Sequence, residues 1–140
     1  MSHSNYLREV FNLKIRKSKI LIARKILKDI DFDSIAVRGI SGIGFGSVLS
    51  YSMNKKLIIV RKDRKNSHGY FDVEASEDCN KFLIVDDFTS TGTTVLAIFN
   101  GVRQKFKDIK FIGTYMYRYV DKFTVASAVP HWQIPKELIQ

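Results

Sequence analysis

Two short segments of the chain are apolar at every position, residues 57–60 (LIIV) and residues 82–85 (FLIV). A strand with one face in water alternates apolar and polar residues, so a continuously apolar strand needs cover on both faces. Segments with helical spacing of apolar residues lie between the predicted strands. We predict helices over residues 18–30, 46–53 and 93–106, and strands over residues 34–37, 57–60, 82–85 and 109–117.

The alternation of strands and helices predicts the fold class. Strand, loop and helix units in series favour an α/β fold, in which a mostly parallel twisted sheet is flanked by helices. A length of 140 residues fits a single domain over residues 1–140. Ligands of such sheets bind beyond the carboxyl ends of the strands. The loops that follow the strands are therefore the candidate binding segments.

Composition and charge limit the expected partners. No apolar run approaches the roughly 18 residues of a membrane span, and the first residues lack a secretion signal, so we expect a cytoplasmic location without membrane contact. Cys79 is the one cysteine, and the three histidines are too dispersed for a zinc site. The net charge of +9 favours an anionic partner, such as a phosphorylated metabolite or nucleic acid. The cluster of eight Lys and Arg residues between Arg8 and Lys28 is interpreted as a solvated helix face, with a nucleic-acid groove as the alternative.

The segment VDDFTSTGTT, residues 85–94, joins a predicted strand to a predicted helix. Asp86 and Asp87 end the strand, and their carboxylates can accept hydrogen bonds from vicinal sugar hydroxyls. The first amides of a helix lack partners within it and favour phosphate, while Gly92 allows the backbone to approach closely. Hydroxyl donors are added by Thr89, Ser90, Thr91, Thr93 and Thr94. The pattern indicates a site for a phosphorylated ribose; the alternative is a turn with capping threonines.

This order of apolar strand, paired acids and Thr/Ser-rich loop around a glycine resembles the phosphoribosyl pyrophosphate (PRPP) signature of type I phosphoribosyltransferases. The resemblance covers residues 82–94. It implies that residues 90–94 hold the 5-phosphate and that Asp86 and Asp87 contact the ribose hydroxyls. It also implies a type I phosphoribosyltransferase-like core, here with a reduced or absent hood, because about 33 residues precede the first core strand.

Residues 36–46, AVRGISGIGFG, resemble the pyrophosphate loop of the same family, which follows the first core strand. A dinucleotide fingerprint starting at Gly42 fails because Ser47 occupies its third glycine position, and a Walker loop lacks its Gly-Lys-Ser/Thr. Tight packing of a helix is the alternative role of these glycines. The positions that match the pyrophosphate loop are Arg38, Gly39, Ile40, Ser41 and Gly42.

Residues 60–71, VRKDRKNSHGYF, resemble the R-K-x-x-K-x-H-G stretch of orotate phosphoribosyltransferases, with one residue inserted before His-Gly. The matching cations are Arg61, Lys62, Lys65 and His68. Mobile cations that close over a departing pyrophosphate would stabilise the transition state more than the ground state, which implies a catalytic role. A solvated basic loop is the alternative interpretation.

The strand that ends in GTYMYRYV carries candidates for the base site. Arg118 lies roughly where orotate enzymes place an arginine against the base carboxylate. Tyr115, Tyr117 and Tyr119 could stack on a base, but alternating aromatics on a strand are more typical of packing on one face of the sheet.

Together these segments predict an enzyme that transfers the 5-phosphoribosyl group of PRPP to a nitrogenous base, with orotate or a purine favoured, and releases pyrophosphate. Mg²⁺ would arrive with PRPP, since it binds through phosphates and few carboxylates, and no dedicated protein metal site is predicted. We expect a homodimer that binds PRPP and a nucleobase-like small molecule. The alternative is a non-catalytic PRPP or nucleotide sensor on the same fold, with nucleic acid as a less favoured partner.

Overall fold

A computed structural model of the chain describes residues 11–62, 72–76, 78–89 and 91–139. Its elements in chain order are α1 (Leu13–Leu27), β1 (Ser34–Val37), α2 (Gly39–Met53), β2 (Lys56–Val60), β3 (Val73–Glu74), β4 (Lys81–Asp86), α3 (Thr93–Lys105), β5 (Lys110–Met116) and β6 (Lys122–Val125). Two 3₁₀ turns, Ala126–Ala128 and Lys136–Leu138, follow β6. The four predicted strands and the helix predicted over residues 93–106 are confirmed to within one residue at each end.

The six strands form one sheet in the order β3-β2-β1-β4-β5-β6. The four central strands are parallel to one another, and the edge strands β3 and β6 are antiparallel to their neighbours. The α/β class and the mostly parallel sheet are therefore confirmed. The two edge strands are absent from the sequence prediction, because β3 has only two residues and β6 lies in the segment after residue 119, which shows no strong hydrophobic period.

Helices cover both faces of the sheet. Leu83 and Val85 of β4 pack under α1 and α2, whereas Phe82 and Ile84 pack under α3. All four side chains have no exposed surface, and burial of each contributes roughly 1.5–3 kcal/mol. Because consecutive strand residues point to opposite faces, two separate cores require the continuously apolar sequence of β4.

Helix α1 begins five residues before its predicted start, where the side chain of Asn12 accepts a hydrogen bond from the Ile15 amide at 3.0 Å. Its buried residues Ile20, Ala23 and Leu27 recur at helical spacing. The described residues before β1 form little more than this helix, as the reduced hood implies. Among the helices that the structure describes, none is long and apolar enough to cross a membrane.

Helix α2 corrects one prediction. It begins at Gly39 rather than at residue 46, so the predicted loop over residues 38–42 is the N-cap and first turn of a helix. A Cβ on Gly46 would lie 2.4 Å from Val37 Cγ1, and a Cβ on Gly42 would lie 3.3 Å from Val37 Cβ. Only glycine lets the helix pack this closely against the end of β1. Tight packing, the alternative role of these glycines, explains why a helix here contains poor helix formers.

Candidate functional site

The crevice between the carboxyl ends of β1 and β4 holds the candidate site. The chain leaves β1 for α2 on one face of the sheet and leaves β4 for α3 on the other. Such a divergence opens the crevice in which α/β sheets usually bind ligands. A cavity of about 500 Å³ lies there, lined by residues 38–41, 86–89 and 91–94 together with Lys62. Every lining residue except Phe88 is a predicted site position.

Two buried acids form part of the cavity wall. Asp86 Oδ1 accepts hydrogen bonds from Ser41 Oγ at 3.2 Å and from the Asp87 amide at 2.9 Å. Asp87 Oδ1 accepts one from the Phe88 amide at 2.7 Å, and its Oδ2 is buried without a hydrogen-bond partner. Burial, and secondarily the charge of Asp87, raises the pKa of Asp86 to about 7. The unpaired oxygen is available to a hydroxyl or to a cation.

The starts of α2 and α3 both line this cavity. The N-cap residues, Arg38 and Gly92, have no side-chain acceptor for the first helix amides. Because the first amides of a helix lack partners within it and carry the positive end of the dipole, each of the two helix starts is a candidate position for an anion. Thr91 Oγ1 accepts a hydrogen bond from the Thr93 amide at 3.3 Å, and Thr89 Oγ1 accepts one from the Gly92 amide at 3.1 Å. The threonines thus shape the loop as well as offering hydroxyls.

Gly92 is required by packing against the C-terminal segment, which the sequence motif does not indicate. Its φ of 83° is left-handed, and a Cβ there would lie 2.7 Å from the Trp132 carbonyl oxygen and 2.8 Å from Gln133 Cα. The C-terminal segment therefore packs directly on the loop and requires glycine at this position. A second role for Gly92, close approach of its backbone to phosphate, stays a prediction.

The predicted cations do not all reach the cavity. Arg38 and Lys62 line it, and Lys62 Nζ would be 3.8 Å from a Cβ on Gly39, so it lies over the start of α2. Arg61 is exposed and pairs with Glu74 at 3.5 Å, outside the cavity lining. Three predicted positions lie outside the described residues: Lys65, His68 and Ser90.

A second cavity of about 370 Å³ adjoins the first, with Phe88 and Thr89 in the walls of both. Arg118 lies in it, with its guanidinium carbon 5.9 Å from the ring centre of Phe88 and 5.2 Å from that of Tyr119. Lys122 adds a second cation. Aromatic rings beside cations suit a planar anionic molecule. Sequence reasoning identifies Arg118 but misses Phe88, for which its place directly after the two acids is the one available signal.

The three tyrosines near Arg118 divide by burial. Tyr115 and Tyr117 are buried in the core beneath α1 and α2, so the packing interpretation is confirmed for both. Tyr119 is 74% exposed and has a left-handed φ of 57°. Of the three rings, Tyr119 alone lines the second cavity.

Carboxylate oxygens in the cavity fit a hard cation. Among the described residues there is no group of three or more His, Cys, Asp or Glu side chains that could hold a metal ion. Asp86 and Asp87 nevertheless supply oxygen donors of the type that Mg²⁺ prefers, and Asp87 Oδ2 has no protein partner. The pair suits a cation that is bound chiefly through phosphate oxygens and water.

Comparison with solved structures identifies the fold. The orotate phosphoribosyltransferase of Aeropyrum pernix has a TM-score of 0.66 and 16% identity, over 77% of this chain and 62% of that one. The orotate phosphoribosyltransferase of Mycobacterium tuberculosis in complex with PRPP has a TM-score of 0.57 and 18% identity, over 77% of this chain and 63% of that one. The chain has the type I phosphoribosyltransferase fold.

Sequence comparison finds relatives in the same group, although no protein-family model matches the chain. It is 32% identical over 91 residues to the adenine phosphoribosyltransferase of Pseudomonas syringae, covering 54% of this chain and 50% of that protein. It is 29% identical over 114 residues to the orotate phosphoribosyltransferase of Pyrococcus horikoshii, covering 76% and 61%. It is 33% identical over 89 residues to the transcriptional regulator GfcR of Thermoplasma acidophilum, covering 56% and 45%. The resemblance to orotate and adenine phosphoribosyltransferases is confirmed, and the chain spans about half the length of these curated relatives.

Proposed function

We propose that this protein is a phosphoribosyltransferase that moves the 5-phosphoribosyl group of PRPP to a nitrogenous base and releases pyrophosphate. The supporting observation is a single cavity that contains two buried acids and the starts of two helices. Two helix starts suit two separate phosphate groups, and acids between them suit a sugar diol. PRPP carries these three features, a phosphate at C5, a diphosphate at C1 and vicinal hydroxyls.

Each part of the cavity takes one part of PRPP in this proposal. Residues 90–94, which directly precede and begin α3 in the sequence, bind the 5-phosphate through amides and hydroxyls. Asp86 and Asp87 accept hydrogen bonds from the ribose hydroxyls. The start of α2, with Arg38 and Lys62, binds the diphosphate. Arg61, Lys65 and His68 remain proposed members of a cationic group that approaches the leaving group.

The chemistry requires charge stabilisation more than proton transfer. As the bond from C1 to the diphosphate oxygen breaks, its electron pair leaves with pyrophosphate and positive charge develops on the ribose ring. A ring nitrogen of the base donates the electron pair of the new bond to C1, and the proton of that nitrogen passes to water. Lys62 and the amides of α2 stabilise the departing anion, and Asp86 and Asp87 stabilise the cationic ring. Mg²⁺, which we propose enters with PRPP, would supply further neutralisation of the diphosphate.

We propose orotate as the acceptor, with a purine as the alternative. The second cavity has Arg118 beside the rings of Phe88 and Tyr119, includes Lys122 in its lining, and adjoins the proposed ribose position. A planar base with a carboxylate suits this combination, because a cation pairs with the carboxylate and an aromatic face stacks on the ring. The relatives include both orotate and adenine phosphoribosyltransferases.

A panel of bases tests the proposal. The protein is incubated with Mg²⁺, PRPP and, in turn, orotate, uracil, adenine, hypoxanthine or guanine, and pyrophosphate release is measured. Release with orotate supports both the activity and the acceptor, whereas release with a purine alone supports the activity and rejects orotate. If no base gives release, the transferase proposal is wrong. Asp86→Asn and Asp87→Asn variants that bind PRPP as tightly as the unmodified protein would contradict the ribose role of the acids.

A second candidate function is a PRPP or nucleotide sensor that acts on nucleic acid. It is favoured by similarity to GfcR, a transcriptional regulator, and by helix α1, which has six basic residues and no acidic ones. Lys14, Lys17, Arg24 and Lys25 of this helix are exposed. Tight PRPP binding without turnover, together with DNA affinity that falls steeply as salt rises, would support the sensor. Absence of DNA binding at low salt would reject its nucleic-acid part.

We further propose that residues 1–140 form one domain and that two copies associate. An apolar groove of about 380 Å³ lies between α1 and α2, and Leu13, Leu21 and Tyr51 beside it are exposed. Exposed apolar surface of this kind is typical of an association site. Sedimentation equilibrium that fits a monomer at micromolar concentration would contradict the dimer.

A further inference from the structure

Tyr117, the residue directly after β5, forms hydrogen bonds with residues on both sides of the crevice. Its backbone amide donates a hydrogen bond to the Asp86 carbonyl at 3.2 Å, and its phenol donates one to the Ser41 carbonyl at 2.8 Å. Ser41 Oγ in turn donates to Asp86 Oδ1 at 3.2 Å. These three hydrogen bonds form a closed ring through Tyr117, Ser41 and Asp86, although Tyr117 is not among the residues that line the cavity.

Packing fixes Tyr117 in this position. The residue is 1% exposed, and its ring stacks on Phe45 with centres 4.1 Å apart and planes 17° from parallel. Phe45 follows Ser41 by four residues in α2, so Tyr117 contacts two successive turns of that helix. A buried ring held by stacking has few alternative rotamers, so its hydroxyl has a defined position.

The three hydrogen bonds among Tyr117, Ser41 and Asp86 connect the two parts of the site that PRPP would bridge. Ser41 lies in the first turn of α2, and Asp86 lies at the end of β4 on the other side of the crevice. We propose that Tyr117 is a positioning residue that holds the start of α2 at a fixed distance from Asp86, so that one PRPP molecule contacts both. This inference rests on the proposed function, which assigns diphosphate to α2 and ribose to Asp86.

The fixed distance between the start of α2 and Asp86 should have a measurable effect on ligand affinity. A ligand that bridges two fixed groups pays less ordering entropy than one that must bring them together. Ribose 5-phosphate or pyrophosphate alone contacts one side of the crevice and gains little from the fixed distance. Tyr117 should therefore matter more for PRPP than for either fragment.

The test compares Tyr117→Phe with Tyr115→Phe. Both tyrosines are buried and lie two positions apart, but the Tyr115 hydroxyl donates to Asp121 at 3.1 Å, and Asp121 is not among the cavity-lining residues. Each variant loses a partly buried phenol hydrogen bond and keeps its aromatic ring, so each is expected to lose stability for a similar reason. Calorimetry with Mg²⁺ then measures binding of PRPP, ribose 5-phosphate and pyrophosphate separately.

We expect Tyr117→Phe to weaken PRPP binding about tenfold and each fragment about twofold, and Tyr115→Phe to change all three less than about twofold. Equal effects of the two variants on PRPP binding, or equal effects of Tyr117→Phe on PRPP and on the fragments, would overturn the proposal. Ser41→Ala provides a double-mutant cycle. The effect of Tyr117→Phe should shrink in the Ser41→Ala background, and additive effects would contradict a connection through the Ser41 hydroxyl.

Hydrogen exchange separates failure of this inference from failure of the proposed function. If the unmodified protein binds no PRPP, the proposed function is wrong. The positioning role of Tyr117 is then tested by the exchange rates of the amides of residues 42–46 in the protein without ligand. Faster exchange of these amides in Tyr117→Phe than in Tyr115→Phe shows that the phenol holds the start of α2. Equal exchange in the two variants rejects the positioning role.

Discussion

Replacing Asp86 with asparagine is predicted to stabilise the folded protein at neutral and alkaline pH. The pKa of Asp86 rises from 3.8 to about 7, because the carboxylate is buried beside Asp87. The folded protein therefore binds this proton more tightly than the unfolded chain does. The contribution of the raised pKa of Asp86 to stability is fully present below pH 3.8 and is lost as pH rises through 7.

The size of the effect follows from the pKa difference. The pKa of Asp86 is 3.8 in the unfolded chain and about 7 in the folded protein, and each pH unit between them corresponds to about 1.4 kcal/mol, so the ionised carboxylate is unfavourable by about 4 kcal/mol above pH 7. Asparagine keeps the Oδ1 acceptor for Ser41 and for the Asp87 amide but carries no charge. We expect Asp86→Asn to gain about 2–4 kcal/mol of unfolding free energy at pH 8 and almost none at pH 4.

Urea unfolding of the two proteins at a series of pH values between 4 and 8 measures this difference. The difference in unfolding free energy should increase with pH up to about 7 and then stay constant, with an unchanged dependence on urea concentration. Asp108→Asn, at an exposed position outside the cavity lining, controls for the loss of a surface charge. A difference in unfolding free energy that does not depend on pH, or an Asp86→Asn variant that is less stable at pH 8, would refute a destabilising effect of the ionised Asp86 carboxylate.

Three further predictions concern glycines and a cation. Gly92→Ala should lose about 2–4 kcal/mol of unfolding free energy, from a left-handed backbone and a clash with the C-terminal segment; a loss below about 1 kcal/mol would contradict that contact. Gly46→Ala should lose about 1–3 kcal/mol through overpacking on Val37, and adding Val37→Ala should recover part of the loss in the same urea assay. Lys62→Ala should weaken pyrophosphate binding about fivefold at low salt and less at high salt. Lys107→Ala, at an exposed position outside the cavity lining, is its control, and equal effects of both variants in calorimetry would contradict the contact of Lys62 with pyrophosphate.

The sequence predicts the sheet best where burial is strongest. β4 is located to within one residue because each of its faces supports a separate core, so residues 82–85 are all apolar between Lys81 and Asp86. β3 and β6 lie at the sheet edges and have no continuously apolar sequence that would locate them. Their places depend on pairing with β2 and β5, and residues far apart in sequence decide that pairing.

The candidate site is predicted in its main parts because its residues are local in sequence. Asp86, Asp87 and the following threonines occupy one continuous segment, and the structure places them beside the start of α2. Phe88 and Tyr117 are different, since their relevance comes from neighbours distant along the chain. The Tyr117 phenol reaches Ser41, 76 residues away, and nothing in the local pattern indicates that contact.

At Asp86 the requirements of stability and of ligand binding oppose each other. An ionised carboxylate in this position opposes folding, yet the proposed ribose role needs an acceptor of hydrogen bonds held beside two helix starts. We therefore expect Asp86→Asn to gain stability at pH 8 while losing affinity for PRPP, a trade of function against stability. If both quantities increased together, Asp86 would have no part in binding the ribose.

The glycines connect packing with binding. Gly42 and Gly46 allow α2 to lie against the end of β1, and that close packing brings Ser41 within hydrogen-bonding distance of Asp86. A Cβ on Gly46 would clash with Val37 Cγ1 at 2.4 Å, so we expect a larger residue there to shift the helix or the Val37 side chain. The interpretation of these glycines as packing residues and their assignment to a pyrophosphate site are therefore compatible, because tight packing is what places the amides of the first turn beside the acids.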